Sequence, residues 1–192
     1  KVILPGVLRM LEPKSGERVL DLACGQGFFS VAFAQSGAEV VAVDASAELI
    51  RHAKRHQNIM YHVASAHNIP FVKSGSIDAV ALIMAIQNID DVPAMLKECM
   101  RVLKPKGRMI IVMNHPTFRV PKGSSWGFDA EKKVQYRRVD QYLSEAKVKI
   151  QTHPGDAPED YTISFHRPLQ FYFKVLAKTG FAVSRLEEWI SH

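Results

Sequence analysis

The sequence predicts an α/β fold with a doubly wound, mostly parallel, Rossmann-like sheet and a β-rich insertion after the fifth strand. Candidate strands and helices alternate regularly as far as residue 114. The candidate strands are apolar on both faces, as in a parallel sheet that helices cover on both sides. A glycine-rich turn directly follows the first strand, at the edge where such sheets bind ligands.

Apolar runs and turn signals give the order of the elements. Strands are predicted over residues 18–22, 39–43, 60–64, 77–85 and 108–113. Helices are predicted over residues 2–11, 28–36, 47–57 and 92–103. Ser46 is a suitable N-cap for the third of these helices, and Gly37 ends the second.

The alternation stops at His115 and Pro116, after which residues 117–164 are polar, aromatic and irregular. A structureless loop of this length is uncommon in a compact domain. We therefore expect a lid or substrate-binding element with short strands over residues 136–143, 148–152 and 161–165. A helix over residues 168–179 and a sixth strand over residues 182–190 follow. Residues 1–192 are interpreted as a single domain.

The composition limits the classes of protein to consider. No apolar run approaches the roughly 20 residues that span a bilayer, so no membrane span is expected. The two cysteines, Cys24 and Cys99, do not indicate a disulfide framework, which favours a reducing compartment and a cytoplasmic location. The net charge of +6 permits a nucleic-acid partner, but scattered solvated lysines and arginines explain it better. Because the first residue is Lys1 rather than Met, we expect further residues upstream.

The strongest motif is the Gly25-Gln26-Gly27 turn between the first strand and the second helix. Glycines leave the main chain unshielded, so a ligand can approach the backbone and the N-terminus of the helix. Asp21 comes four residues before Gly25, where its carboxylate can accept a hydrogen bond from a ligand amine.

A second acid, Asp44, ends the second strand 19 residues after Gly25. This spacing suits a carboxylate that binds a ribose diol where neighbouring strands diverge. The pair alone does not separate S-adenosylmethionine (SAM) from a nicotinamide dinucleotide. The dinucleotide fingerprint prefers a third glycine where Ser30 stands and an apolar residue where Asp21 stands, and both differences favour SAM.

With these residues, positions 17–114 resemble the class I SAM-dependent methyltransferases, in the group with UbiE-like and "type 11" sequences. Residues 21–27 match the first motif of that family and Asp44 matches the acid of the second. Residues 69–71 and 76–80 match its "LPF…SFDxV" stretch, and residues 101–107 match its "RVLKPGG" block. The resemblance covers about half of the chain.

The resemblance implies the class I methyltransferase fold, SAM as cofactor and S-adenosylhomocysteine as product. The implied cofactor-binding residues are Asp21, Ala23, Gly25, Gly27, Asp44, Ala45, Ser65, Ala66, Met84 and Gln87. Asp21 and the two glycines would hold the methionine end, and Asp44 the ribose. Family members often carry an acid before the alanine that faces the adenine. This chain has Ser65 there, so that contact is weaker or made by the main chain. An N-terminal cap and a seventh, antiparallel strand after residue 192 are also implied.

Methyl transfer from a sulfonium is an in-line displacement, so the protein mainly has to align the reactants and exclude water. A base is needed only if the nucleophile must lose a proton. His115 follows the fifth strand at the ligand edge and is the candidate base; the alternative is a loop histidine that braces the turn. The candidate substrate-binding residues are Asn88, Tyr136, Arg137, His166 and Arg167. Helix capping and a solvated strand face are their alternatives.

Three functions remain open from the sequence. The first is a methyltransferase acting on a small-molecule acceptor. The second is an RNA methyltransferase, although the segment 84–88 lacks the signature of base-amine methylation. The third is a non-catalytic domain that binds SAM or a nucleotide and serves as a partner. No metal site is expected, because His52 and His56 lack an acidic third ligand. The sequence does not indicate the oligomeric state.

Overall fold

A computed structural model describes residues 2–151 and 161–190. Its central sheet has five parallel strands in the order β3-β2-β1-β4-β5. They are β1 (Arg18–Leu22), β2 (Glu39–Asp44), β3 (Ile59–Val63), β4 (Ile77–Ile83) and β5 (Leu103–Val112). The helices are α1 (Ile3–Leu11), α2 (Phe28–Gln35), α3 (Ala47–Arg51), α4 (Val92–Val102) and α5 (Leu169–Lys178). The predicted doubly wound α/β class is confirmed.

Helices cover both faces of the sheet because alternate strand residues point to opposite sides. Leu20 and Leu22 of β1 pack with α4 and with Tyr172 of α5. Val19 of β1 packs on the other face with Val7 of α1 and Phe33 of α2. Buried apolar side chains on both faces explain why the strands read as continuous apolar runs.

The helix predicted over residues 47–57 is wrong in length, because α3 ends at Arg51. The N-cap is as predicted, since Ser46 accepts a hydrogen bond from the Leu49 N–H. Beyond Arg51 the chain offers almost no apolar side chain to bury, and helices in proteins depend mainly on such burial. Residues 52–56 turn towards β3 instead, and His52 and His56 do not share a helix face.

The start of β5 also differs from the prediction. Strand β5 begins at Leu103, which is the partner of Ile77, whereas Arg108 is already the partner of Ala79. Residues 104–107 bulge out between these pairs, and Lys106 takes a positive φ of 65°. The strand predicted to begin at residue 108 therefore begins at Leu103, and residues 104–107 lie inside a bulged strand.

The segment between β5 and α5 forms two antiparallel hairpins. Strand β6 (Ser124–Asp129) pairs with β7 (Val134–Val139), and β8 (Ala146–Gln151) pairs with β9 (Tyr161–His166). The predicted strand over residues 136–143 is wrong beyond residue 139, and β6 was not predicted. Residues 152–160 of the segment lie outside the described residues. The role of the hairpins as a lid stays a prediction.

The sixth strand predicted over residues 182–190 is wrong, since residues 181–190 have no regular secondary structure. No strand among residues 2–151 and 161–190 pairs with this segment, and a strand requires a partner for its backbone hydrogen bonds. The segment packs on α1 instead, where the Trp189 ring lies against Gly6 and Glu187 pairs with Arg9. None of the described helices is long and apolar enough to cross a membrane.

Candidate active site

The carboxyl ends of β1 and β2 bring the glycine turn into contact with Asp44. The backbone N–H of Gly25 donates a hydrogen bond to Oδ2 of Asp44 at 2.7 Å. The other oxygen, Oδ1, accepts a hydrogen bond from the N–H of Ser46 at 2.8 Å. Because β1 and β2 are parallel neighbours, the two turns leave the sheet at the same edge. They therefore form the two sides of one crevice.

The two glycines of the turn have different roles. Both have positive φ values, 58° at Gly25 and 77° at Gly27. A Cβ atom at Gly25 would meet no described atom within 4 Å, whereas one at Gly27 would clash with the Tyr61 ring. Only the backbone of Gly25 is therefore open to a ligand. Gly27 is required because the Tyr61 side chain of β3 packs directly on it.

Asp21 is a buried carboxyl at the end of β1, and it is 2% exposed. The Ser30 hydroxyl, on the first turn of α2, donates a hydrogen bond to its Oδ2 at 2.5 Å. Burial raises the pKa of Asp21 to about 7, and the Ser30 hydrogen bond opposes that rise. The Asp21 carboxyl is therefore positioned by a hydrogen bond from the protein's own Ser30. A glycine at position 30 could not make this hydrogen bond.

Two residues next to the crevice have a strained backbone. Ala23 follows β1 with φ 56°, and Met84 follows the neighbouring strand β4 with φ 55°. Side chains other than glycine adopt this left-handed region rarely, and such strain is concentrated at functional sites. Both residues are in the implied cofactor-binding set, and the structure places them at adjacent carboxyl ends.

The residues expected on the adenine side lie at the ends of β2 and β3. Ala45 is exposed directly after Asp44, and the Ala64 N–H donates to the Asp44 carbonyl at 2.9 Å. The Ser65 hydroxyl is 3.1 Å from Nδ1 of His67. Ser65 and Ala66 therefore stand at the same sheet edge as Asp44, and their role in adenine binding stays a prediction.

Gln87 and Asn88 lie in a short 3₁₀ turn, Ile86–Asn88, after β4. The Gln87 amide nitrogen, Nε2, donates a hydrogen bond to the Met84 carbonyl at 2.6 Å. Its oxygen, Oε1, is buried and has no hydrogen-bond partner among the described residues. Asn88 donates to the Ile163 carbonyl at 3.0 Å and so ties the turn to β9.

His166 and Arg167 are buried, at 3% and 6% exposed. The Arg167 guanidinium donates to the carbonyls of Ile89 and Asp90 at 3.0 and 2.6 Å. Nε2 of His166 lies 2.8 Å from the Tyr142 carbonyl. Both residues line an open cleft of about 460 Å³ and a smaller cavity of about 30 Å³. They are thus framework residues that also reach cavity surfaces.

His115 has both of its ring nitrogens engaged. Nδ1 accepts a hydrogen bond from the Thr117 N–H at 3.2 Å. Nε2 lies 3.0 Å from a carboxylate oxygen of Glu188 in the C-terminal segment. This arrangement supports the bracing alternative, because no nitrogen is left to take a proton from a nucleophile. The assignment of His115 as a base stays a prediction.

Tyr136 and Arg137 lie on the β6–β7 hairpin and are used within it. The Tyr136 ring covers Gly127, and the Arg137 guanidinium donates to the Phe118 carbonyl at 2.9 Å and to the Ser124 hydroxyl at 2.7 Å. The structure therefore does not bring them together with the crevice, and their contact with an anionic substrate stays a prediction.

Sequence reasoning missed two residues of the crevice. Ser30 was noted only as a departure from a glycine pattern, and Tyr61 was not singled out. The sequence offers one indication for Tyr61, which is the alternation of side chains along β3. This alternation places the Tyr61 ring on the side of the sheet that α2 covers. No group of three potential metal ligands occurs within the described ranges.

Comparison with known proteins supports this reading of the fold. Residues 20–111 match the family model described as "Methyltransferase domain". A solved SAM-dependent methyltransferase from Mesorhizobium loti superimposes with a TM-score of 0.83 and 25% identity. That match covers 96% of this chain and 83% of the other.

Two curated relatives match at the sequence level. The ubiquinone biosynthesis O-methyltransferase of Xanthomonas axonopodis is 35% identical over 115 residues, which are 57% of this chain and 48% of the relative. The demethylmenaquinone methyltransferase of Corynebacterium kroppenstedtii is 37% identical over 103 residues, covering 54% and 44%. The matched part is thus about half the length of these relatives. In fold and motifs, the chain is similar to the class I SAM-dependent methyltransferases, and the matched domain lies within residues 20–111.

Proposed function

We propose that this chain transfers the methyl group of SAM to a small-molecule acceptor. The observation that carries the proposal is the contact between the Gly25 N–H and the Asp44 carboxylate across the crevice. An open glycine turn and a carboxylate at the end of the next strand suit the methionine and ribose portions of one ligand. The relatives named above are a ubiquinone biosynthesis O-methyltransferase and a demethylmenaquinone methyltransferase, which supports a small-molecule acceptor over RNA.

The residues present fit SAM. Beside the open Gly25 backbone, Asp44 would exchange its hydrogen bond with the Gly25 N–H for bonds to the two ribose hydroxyls. Asp21, with Ser30 behind it, offers a buried carboxyl near the cationic methionine end. When bound, SAM supplies a methyl group already activated by the positive sulfur.

The protein's own contribution is alignment and exclusion of water. The strained turns at Ala23 and Met84 lie beside the crevice at the adjacent carboxyl ends of β1 and β4, and the hairpins after β5 would supply its cover. Holding two reactants in line is worth about 7–11 kcal/mol of a barrier, more than general-base help typically adds. A methyltransferase without a free base is therefore chemically reasonable. The unpaired cysteines fit a cytoplasmic location, which we include in the proposal.

Calorimetry with SAM tests the site. Asp44→Ala removes the carboxylate that would bind both ribose hydroxyls, so we expect SAM affinity to fall at least tenfold, as for a lost charged hydrogen bond of about 1.5–3 kcal/mol. Glu39→Ala is the matched control, because Glu39 is an exposed acid at the opposite end of the same strand. Equal affinities for the two variants would remove Asp44 from the site.

Turnover separates the proposed enzyme from its alternatives. The protein is incubated with SAM and a metabolite library, and S-adenosylhomocysteine is quantified. Product release with a small molecule supports the proposal, whereas release only with RNA supports the second function. SAM binding without product from either class of acceptor would favour a non-catalytic partner domain.

A further inference from the structure

We propose that the cavity of about 30 Å³ beside the crevice is the acceptor site, and that it selects compounds carrying both a hydrogen-bond donor and an anionic group. We name it the acceptor cavity; its walls include Gln87, Met113, Pro116, Arg119, His166 and Tyr172. The inference rests on the proposed function, because it assigns the second substrate of the same reaction. It differs from the expectation that Gln87 binds the cofactor.

Gln87 provides the main argument. Its Nε2 donates to the Met84 carbonyl, so the amide orientation is set and Oε1 is the atom left over. Oε1 is buried and has no hydrogen-bond partner in the described part of the chain. A buried acceptor without a partner is unfavourable unless a ligand or water supplies a donor. Because Gln87 is one of the residues that line the acceptor cavity, the proposal assigns the missing donor to an occupant of that cavity.

His166 also lines this cavity, and its second ring nitrogen can serve as another acceptor. A carbonyl can only accept, so the nitrogen that faces the Tyr142 carbonyl, Nε2, carries the ring's proton. In the neutral ring this leaves Nδ1 as an acceptor. An amide oxygen and an imidazole nitrogen in one small cavity together favour a hydroxyl or amine donor. They disfavour a carbonyl or an ether in that position.

Arg119 supplies the charge preference. Its side chain is exposed at the cavity, and it has no ion pair or hydrogen bond with another side chain among residues 2–151 and 161–190. Arg137 and Arg167, by contrast, are bonded to backbone carbonyls of the fold. A free guanidinium at the rim of a binding cavity favours a carboxylate or phosphate on the ligand.

The volume sets what enters the cavity. A space of about 30 Å³ holds one or two waters, or one hydroxyl or amine, since a single water needs about 10–15 Å³. The rest of the acceptor would have to extend past the rim of the cavity, where the Arg119 side chain is exposed. The proposal therefore places the donor group inside the cavity and the anionic group outside it, near Arg119.

The test uses the whole chain saturated with S-adenosylhomocysteine and a fragment panel followed by ligand-observed NMR. The panel contains hydroxy- and amino-substituted benzoates and phenylacetates, each with a partner that lacks the donor and a partner methylated at the carboxylate. We expect the fragments that carry both a donor and a free carboxylate to bind. The comparison compounds that lack either group should bind at least tenfold more weakly, because each leaves a polar group of the protein unpaired.

Variants assign the two ends of the fragment. Gln87→Leu and His166→Gln should each weaken the donor-bearing fragments at least fivefold; the glutamine replacement can keep the hydrogen bond to the Tyr142 carbonyl. Arg119→Gln should abolish the preference for the free carboxylate over its ester. The matched controls are Gln170→Leu and Lys174→Gln, both exposed on α5, and they should bind fragments as the unaltered chain does.

Affinity for S-adenosylhomocysteine separates this inference from the proposed function. We expect Gln87→Leu to change it less than threefold. A large loss would make Gln87 a cofactor residue and overturn the inference. So would a cofactor-saturated chain that binds no panel member or binds the partners equally well. Failure of the unaltered chain to bind S-adenosylhomocysteine would refute the proposed function instead.

Discussion

At the residue scale, Asp21 shows how burial converts an ordinary carboxyl into a pH-sensitive group. Its pKa in the folded chain is raised to about 7 by burial, whereas an unfolded chain has the ordinary value of about 3.9. The folded state therefore binds this proton more tightly. The stabilisation is fully present below about pH 4 and is lost as the pH rises through about 7.

We therefore predict that the free energy of unfolding of the ligand-free chain contains a term that decreases between about pH 4 and pH 7, by about 4 kcal/mol at most. Asp21→Asn should remove this term, because the amide does not titrate. Urea denaturation across that pH range measures it. Glu48→Gln, an exposed acid on α3, is the control and should keep the unaltered slope. Superimposable profiles for Asp21→Asn and the unaltered chain would contradict the prediction.

His115 allows catalysis and bracing to be separated at a single side chain. If it acts as a base, His115→Ala reduces turnover more than SAM affinity. If it braces the C-terminal segment through Glu188, Glu188→Ala destabilises the chain, though less than His115→Ala, which also loses the hydrogen bond from the Thr117 N–H; both variants then leave turnover intact. We expect the second result, because both ring nitrogens are already bonded. A turnover loss confined to His115→Ala would restore the base.

At the element scale, the turn between β1 and α2 contains two glycines whose substitution is unfavourable for different reasons. Any side chain at either position is strained by the positive φ, at a cost of roughly 1–2 kcal/mol. Only at Gly27 does a Cβ also clash with the Tyr61 ring. Because the backbone strain is the same at both positions, the difference between the two substitutions measures the clash with the Tyr61 ring.

We predict that Gly25→Ala weakens SAM binding at least tenfold while costing only the strain in stability, because its methyl group enters the open crevice. Gly27→Ala should cost more stability than Gly25→Ala, and Tyr61→Leu in the same chain should recover part of the difference. Thermal unfolding and SAM calorimetry on the three variants measure both quantities. The reverse order of stabilities would show that Tyr61 moves aside freely.

The elements also show which parts of the fold can be predicted. The central strands were predictable because residues such as Leu20, Val41 and Leu82 are buried on a two-sided sheet, and such burial produces continuous apolar runs. Strand β6 was not predictable, because its large apolar residues do not pack into a core. Trp126 and Phe128 are each 65% exposed. The length of helix α3 was overestimated, because the local sequence pattern does not show at which residue the helix stops packing against the core.

The residues of the crevice divide in the same way. Gly25 and Asp44 were predictable from spacing, because the parallel crossover places the ends of consecutive strands at one edge. Ser30 and Tyr61 were not, because their roles depend on how α2 and β3 pack on the turn. The orphan oxygen of Gln87 also follows only from side-chain geometry, since no sequence pattern distinguishes a paired amide from an unpaired one.

At the scale of the whole molecule, residues 181–190 form the last part of the described chain and pack against α1 without forming a strand. Trp189 packs against Gly6 of α1, and its indole N–H donates to Glu187 at 2.9 Å. Glu187 also pairs with Arg9, which holds the pKa of Glu187 down at about 2. The contacts of this segment with α1 include a packed ring and an ion pair whose arginine is half exposed, and Glu188 also ties the segment to His115.

The ring contact should contribute more than the ion pair, because exposed ion pairs are screened by water and salt whereas aromatic burial is not. We therefore predict that Trp189→Ala lowers the free energy of unfolding by about 2 kcal/mol, within the range for a partly buried aromatic. Glu187→Gln should lower it less and should have no effect at 1 M salt. Urea denaturation at low and high salt measures both changes. A larger loss for Glu187→Gln that persists in salt would mean that charge, not packing, holds the segment to α1.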